Sequence, residues 1–206
     1  MSESAEPVYD CVIPAAGASS RMGEFKPLLP FGPASIVETT VGSALAAGCR
    51  VILVVGYRGA ELASLFAGRS GVLVAENPDW ELGMLGSLQT GLRRVESPWF
   101  FTLPADMPLV LPAVYDLLHR ARMAGSAAAA PEPAAYFASH EGRAGHPVLI
   151  PSAWIPEMLG LPPGGRMRGF LEKRRMVLVE AGTEAVHLDL DLPIDYRRTL
   201  EELGPS

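Results

Sequence analysis

The sequence predicts an α/β fold, with helices on both sides of a mostly parallel sheet, and three observations predict it. Apolar runs at residues 50–56 (RVILVVG) and 97–103 (SPWFFTL) show no polar alternation, as interior parallel strands covered on both faces require. Across residues 8–75 strand-like and helix-period segments alternate, the order from which right-handed crossovers build a layered sheet. The first strand, Val8 to Ile13, runs straight into a turn of small residues, and open α/β sheets bind ligands beyond the carboxyl ends of their strands.

With 206 residues, 49% hydrophobic and 19% charged, the chain can build a self-sufficient core and is too apolar for disorder. A single domain over residues 1–206 is expected. The formal net charge of -6 argues against nonspecific binding along a nucleic-acid backbone and leaves a local basic pocket open. Cys11 and Cys49 form neither a CxxC pair nor a disulfide framework, so both read as buried small residues. The opening MSESAEPVYD lacks the basic region of a secretory signal, and no stretch is long enough to span a bilayer. A cytoplasmic location follows as an expectation, with neither membrane nor nucleic acid as partner.

After the first strand, Ala15, Ala16, Gly17, Ala18, Ser19 and Ser20 let backbone approach a ligand closely, and Arg21 and Lys26 place two cations beyond them. Backbone amides, a forked guanidinium and a point-charge ammonium are what a polyphosphate needs. Neither the GxGxxG nor the GxxxxGK[ST] pattern fits, so the loop backbone itself is the expected cradle. An ordinary glycine-rich surface connection is the competing reading. Lys26 weakens it, because a chain with fifteen arginines and two lysines has placed one of the lysines here.

Taken in order, Pro33 to Ala47 is helical, with Ser35 and Glu38 spaced as a capping box. Arg50 to Gly56 is a strand, Glu61 to Phe66 a short helix, and Gly71 to Ala75 the next strand. Asn77 and Pro78 stop it, and Leu85, Leu88 and Leu92 follow at helical spacing. Gly83 and Gly86 before Ser87 point to close backbone approach, against the plainer reading of a loop anchored by Trp80. The strand Ser97 to Leu103 delivers Asp106 at its end. There Asp106 either holds Mg²⁺, a hard cation that takes carboxylate and phosphate oxygens, or caps a helix from Leu109 to Met123.

Ala127 to Ala130 offers a short strand, and the following PEPAAYFASHEGRAGHPVLI gives no clear element. His146 has no metal-ligand spacing to another histidine. Pro162 to Phe170 opens a helix with Arg166 and Arg168 in its first turn, where cations need an anion between them or plain solvation. Lys173, Arg174 and Arg175 read as an exposed helix end. Met176 to Val179 and Ala185 to Leu188 read as two strands added at a sheet edge, and Asp195 as the cap of a last helix, Tyr196 to Leu203. Asp189 and Asp191 alternate in HLDLDL, so an extended chain projects both from one face.

Several of these stretches resemble one family. AAGASSRMGEFKPLLPFG is similar to the signature of the molybdenum cofactor nucleotidyltransferases, the MobA-like group, roughly AAGxSxRMGxxKxLL. Its Ala-Ala-Gly opening resembles the cytidylyltransferases acting on molybdopterin more than the guanylyltransferases. NPDWELGMLGSLQTGL is similar to the family's NPxWxxGMxxSLxxG, which implies that Gly83 and Ser87 contact the base and ribose. LPADMPLV resembles its metal-binding motif, which implies Asp106 as a Mg²⁺ ligand. GRAGHPVLI resembles its RGHP segment and implies that His146 lies beside the acceptor; Ala144 interrupts the pattern and leaves the role of Arg143 open. HLDLDLPIDY resembles its DIDTPED tail, with Leu192 for Thr, and implies Asp191 as the second metal ligand.

The resemblance runs from Val12 to Arg197 and implies a Rossmann-like three-layer nucleotidyltransferase fold, with a donor half at about residues 8–106 and an acceptor half at about 107–200. It implies Ala15, Ala16, Gly17, Ala18 and Ser19 around the nucleotide, with Arg21, Lys26 and Asp106 as catalytic residues. CTP is then the donor, molybdopterin the acceptor, Mg²⁺ the metal, and a molybdenum hydroxylase the client. The acceptor phosphate attacks the α-phosphorus and pyrophosphate leaves, without a general base. Two alternatives stand: a nucleotidyltransferase for sugar or alditol phosphates, and a non-catalytic molybdenum cofactor carrier. The carrier would have no use for Lys26, Asp106 and Asp191 together.

Overall fold

The computed structural model describes residues 9–18, 24–126 and 133–203. β1 (Tyr9–Ala15) is buried along its whole length. It pairs in parallel with β4 (Cys49–Val55) on one side and β6 (Trp99–Thr102) on the other. Between them in sequence, β2 (Pro30–Phe31) and β3 (Ala34–Ser35) form a small separate hairpin. β5 (Val72–Glu76) flanks β4, and β8 (Arg143–Pro151), β7 (Ala134–His140) and β9 (Arg175–Glu180) complete a seven-stranded sheet in the order β5-β4-β1-β6-β8-β7-β9. β8 alone is antiparallel to its neighbours.

The direction of β8 comes from a hairpin that the sequence reading did not identify. Glu141 and Gly142 connect β7 to β8 with φ of 51° and 72°, the paired positive values of a tight hairpin turn. β8 then inserts between β6 and β7 and carries His146 to the centre of the sheet.

The strands bury both faces, as their unalternating sequences require. Cys11, Ile13, Val51, Leu53 and Phe101 pack on one side with α1 (Ile36–Ala46), α2 (Gly59–Leu65) and α4 (Pro112–Ser126). Val12, Ile52, Val54 and Phe100 pack on the other with α3 (Met84–Leu92), α5 (Ile155–Leu159) and α6 (Met167–Leu171). α7 (Pro193–Leu203) closes the chain, with Tyr196 and Leu200 beside Phe31, Ile36 and Leu190. Among the described residues no helix is long and apolar enough to cross a membrane.

The capping box is present: Ser35 accepts from the Glu38 amide, and Glu38 accepts from the Ser35 amide at 2.9 Å. Because the β2–β3 hairpin takes up Pro33 to Ser35, the helix starts at Ile36. Other expectations change. Asp106 is no cap, since α4 begins at Pro112. α7 begins at Pro193, so Asp195 lies within its first turn and does not cap it. Ala185 and Val186 belong to a 3-10 turn, Glu184–Val186, so the sheet gains one strand at this edge and not two. Arg174 is not a free helix end: its guanidinium lies 3.4 Å over the Phe170 ring and 5.2 Å from that of Trp154. The short strand expected at 127–130 lies outside the described residues.

Candidate active site

β1 ends in the middle of the sheet, and the small-residue loop leaves from its carboxyl end. Ala15 and Ala16 are buried, Gly17 is exposed, and Ala18 is intermediate. The Ala16 carbonyl accepts from the Tyr57 amide at 3.0 Å, which ties the loop to the exit of β4. Gly56 permits that junction, for a Cβ there would lie 2.5 Å from Trp80 and 2.9 Å from the Ala16 side chain. Ser19 and Arg21 lie outside the described residues.

Lys26 opens a 3-10 turn, Lys26–Leu28, and is buried at 6% exposure. Its Nζ lies 2.5 Å from Asp106 Oδ2 and 2.7 Å from Asp191 Oδ1. Three parts of the chain distant in sequence therefore converge on one ammonium. Asp106 arrives from the end of β6, and Asp191 from the segment before α7. The backbone fixes that segment, because the Leu190 amide donates to the Asp106 carbonyl at 3.1 Å. Burial works to discharge Lys26, but Asp106 and Asp191 outweigh it and raise its pKa above the ordinary lysine value. Asp189 is pushed the other way for a carboxylate, upward, by burial and by the negative charges of Asp191 and Asp106.

The donor set bears on a metal in two ways. Among the described residues no group of three or more His, Cys, Asp or Glu is arranged to hold an ion. Asp106 Oδ1 is nevertheless buried with no hydrogen-bond partner, facing the side of the carboxylate that Lys26 does not occupy. Mg²⁺ characteristically binds through one or two carboxylates and completes its shell with substrate phosphates and water. A pair of aspartates with an unused buried oxygen fits that habit.

At the donor side, Gly83 caps α3 with φ of 104°. Met84 and Leu82 beside it are 63% and 68% exposed. Ser87 does not present a free hydroxyl: it is 3% exposed and accepts from Asn77 Nδ2 at 3.0 Å. Asn77 Oδ1 in turn accepts from the Asp79 amide at 3.1 Å. Ser87 thus braces the turn that holds Gly83.

A cavity of about 520 Å³ opens between α3 and β8. Met84, Leu85 and Leu88 form an apolar wall, and His146, His187 and Asp189 a polar one. Burial lowers the pKa of His146, against the backbone of Thr102 and the charge of Asp106, which favour the imidazolium. Arg166 and Arg168 also reach this cavity, whereas Arg143 stands exposed at the hairpin turn and does not line it. His187 and Gly56 were absent from the residues singled out in the sequence. A glycine at a strand exit is a readable signal for Gly56; His187 carries none without the cavity.

Residues 11–178 match the family model described as the MobA-like NTP transferase domain. The molybdenum cofactor cytidylyltransferase of Escherichia coli K12 is 33% identical over 187 residues, which cover 91% of this chain and 93% of that protein. Among solved structures, a nucleotidyl transferase from Methanothermobacter thermautotroptrophicus superposes with a TM-score of 0.78 at 23% identity, over 95% of this chain and 97% of the other. A Mycobacterium tuberculosis H37Rv protein in complex with manganese gives a TM-score of 0.66 at 27% identity, over 94% and 98%.

Proposed function

The chain belongs to the MobA-like NTP transferase family, and from that premise we propose that this nucleotidyltransferase moves CMP from CTP to the terminal phosphate of molybdopterin, releasing pyrophosphate. The observation that carries the reading is Lys26 held between Asp106 and Asp191 at the carboxyl edge of the sheet. Asp106 stands in the chain between Pro104 and Met107, both of which line the cavity of α3 and β8.

The residues divide the work. Ala15 to Ser19 and the Gly83 turn, braced by Ser87, receive the nucleotide, with Arg21 and Lys26 on its phosphates. Lys26 brings positive charge that its two carboxylates keep in place at any physiological pH. Asp106 and Asp191 would hold Mg²⁺, which supplies charge neutralisation at the phosphoryl oxygens when bound. The manganese in the M. tuberculosis relative supports a divalent ion in this fold. The acceptor phosphate is ionised near neutral pH, so the protein has to align and neutralise the reactants and needs no general base. His146 borders the acceptor.

Met84, Leu85 and Leu88 give the cavity an apolar surface on which the face of a flat ring can lie. We assign the reaction to the cytoplasm, with an apo-molybdenum hydroxylase as the protein that receives the product. The test is a matrix of CTP, GTP, ATP and UTP against molybdopterin and against sugar and alditol phosphates, with pyrophosphate release as readout. CTP with molybdopterin is the expected optimum. A kcat/KM for GTP equal to or above that for CTP overturns the base assignment, and turnover of a sugar phosphate in preference to molybdopterin overturns the acceptor.

A further inference from the structure

Two imidazoles on one wall of the cavity each hold a nitrogen in reserve. His146 Nδ1 and His187 Nε2 are both buried and both lack a hydrogen-bond partner, and both residues line the cavity. A buried polar atom left unpaired destabilises the fold, so native structures carry few of them. Two of them, closed to solvent and on residues that line the same cavity, mark a place where a ligand completes the bonding once the rings turn toward it.

The wall is built for close contact. A Cβ on Gly145 would lie 2.2 Å from the Val186 carbonyl oxygen and 2.9 Å from His187 Nδ1, so the absence of a side chain at Gly145 lets the turn carrying His187 lie directly on β8. His146 follows in the same strand, buried, with its pKa lowered by that burial while the backbone of Thr102 engages it. A neutral imidazole with one nitrogen committed offers the other as an acceptor, and His187 adds a second polar atom beside it. Asp189 lines the cavity two residues beyond His187. Met84, Leu85 and Leu88 of α3 line the same cavity, apolar and without a polar partner to give, and Arg166 and Arg168 add two cations to the lining.

We propose that His187, together with His146, determines acceptor specificity by hydrogen-bonding the heteroatom edge of a planar nitrogen heterocycle whose face lies on Met84, Leu85 and Leu88. The proposal rests on the reading that this cavity takes the acceptor, and it assigns His187 a binding role for the ring and not for the phosphate.

The probe is 6-hydroxymethylpterin, uncharged and followed by its own fluorescence, with CTP binding measured by calorimetry on the same preparations. His187→Leu keeps the bulk and removes the nitrogens. Since Nε2 has no partner to lose, the thermal midpoint should stay level or rise, while the Kd for the pterin rises about tenfold, the loss of one hydrogen bond, and the Kd for CTP is unchanged. His187→Gln restores a polar atom and should recover part of the affinity. Pterin affinity in His187→Leu equal to that of the unmodified protein overturns the proposal, as does equal weakening of pterin and CTP, or failure of the unmodified protein to bind the pterin. A protein that binds the pterin through His187 and yet transfers no nucleotide to molybdopterin would keep this inference and overturn the reaction proposed above.

Discussion

At Lys26 one ammonium answers two carboxylates, and the energetics of that triad separate structure from catalysis. The lysine side chain is 8% exposed, that of Asp106 22% and that of Asp191 39%. Asp106 therefore shares more of the buried environment, and its loss should cost more. Asp106→Asn is expected to lower stability by about 1.5–3 kcal/mol, the worth of a hydrogen bond to a charged group, and Asp191→Asn by less. If both carboxylates also hold Mg²⁺, each substitution should reduce the rate by orders of magnitude and shift the Mg²⁺ dependence to higher concentration. Rates titrated against Mg²⁺, with unfolding midpoints on the same preparations, decide the matter: near-normal rates and Mg²⁺ dependence in both variants would assign the aspartates to structure alone. The comparison is clean because α4 starts at Pro112, so Asp106→Asn removes no helix cap. Lys26 itself confers no pH sensitivity in the neutral range. Its folded pKa is raised, so its contribution is complete below the ordinary lysine value of 10.5 and fades only as pH climbs through the higher folded value.

Elements were legible in the sequence wherever local rules were sufficient. Ser35 and Glu38 form the capping box that their spacing announces, and the strands at 49–55 and 99–102 bury both faces as their unalternating runs require. The strand-end rule singled out Asp106, and with the motif resemblance led to Asp191; the structure brings both to Lys26. What escaped was decided by contacts between distant parts of the chain. AVHLDLDL alternates like a strand, yet the chain turns at Glu184–Val186 because Gly145 admits Val186 and His187 onto β8, and because Leu190 bonds to the Asp106 carbonyl. The β7–β8 hairpin turns on Glu-Gly, which lacks the Asn-Gly or Asp-Gly signal. Arg174 looked solvated because its partners, Phe170 and Trp154, meet only in the fold. Gly145 is accordingly the element-scale test. An added methyl would collide with backbone, which cannot swing aside as a side chain would, so Gly145→Ala should displace the segment that carries His187, Asp189 and Asp191. Overpacking of this kind costs about 1–3 kcal/mol. The kcat/KM should fall at least tenfold, with loss of acceptor affinity exceeding loss of CTP affinity; unchanged kinetics would show that the segment is not positioned through this contact.

For the whole molecule, the end of the sheet opposite the active site is clamped by one buried carboxylate. Asp10, 2% exposed on β1, accepts from Arg50 Nε of β4 at 2.6 Å. Its other oxygen accepts from the amides of Glu96 and Ser97 at 2.7 and 2.9 Å, where the chain enters β6. The three central strands that carry the active-site loops at their far ends are thus tied together at their near ends. Burial alone would raise the Asp10 pKa, but Arg50 and the two amides more than compensate and hold it below the ordinary value of 3.8. The sign follows directly. A depressed folded pKa means stabilisation that is complete above the ordinary value and is lost as pH falls through the folded one. Asp10→Ala takes the acceptor from Arg50 Nε and from two amides, while Arg50 keeps Glu96 and the Arg94 carbonyl, and leaving buried donors unpaired costs about 1–3 kcal/mol each. Urea unfolding from pH 7 down to pH 2 should therefore show two curves that lie far apart at neutral pH and converge in acid, because protonation removes from the unmodified protein what the substitution has already removed from the variant. Curves separated by a constant amount across that range would place the stabilisation in packing and not in the charge of Asp10. Since Asp10 lies at the opposite end of β1 from Ala15, the variant's folded fraction should keep its CTP affinity, and a fall in that affinity beyond the loss of folded protein would show that the clamp also sets the spacing of the loops above it.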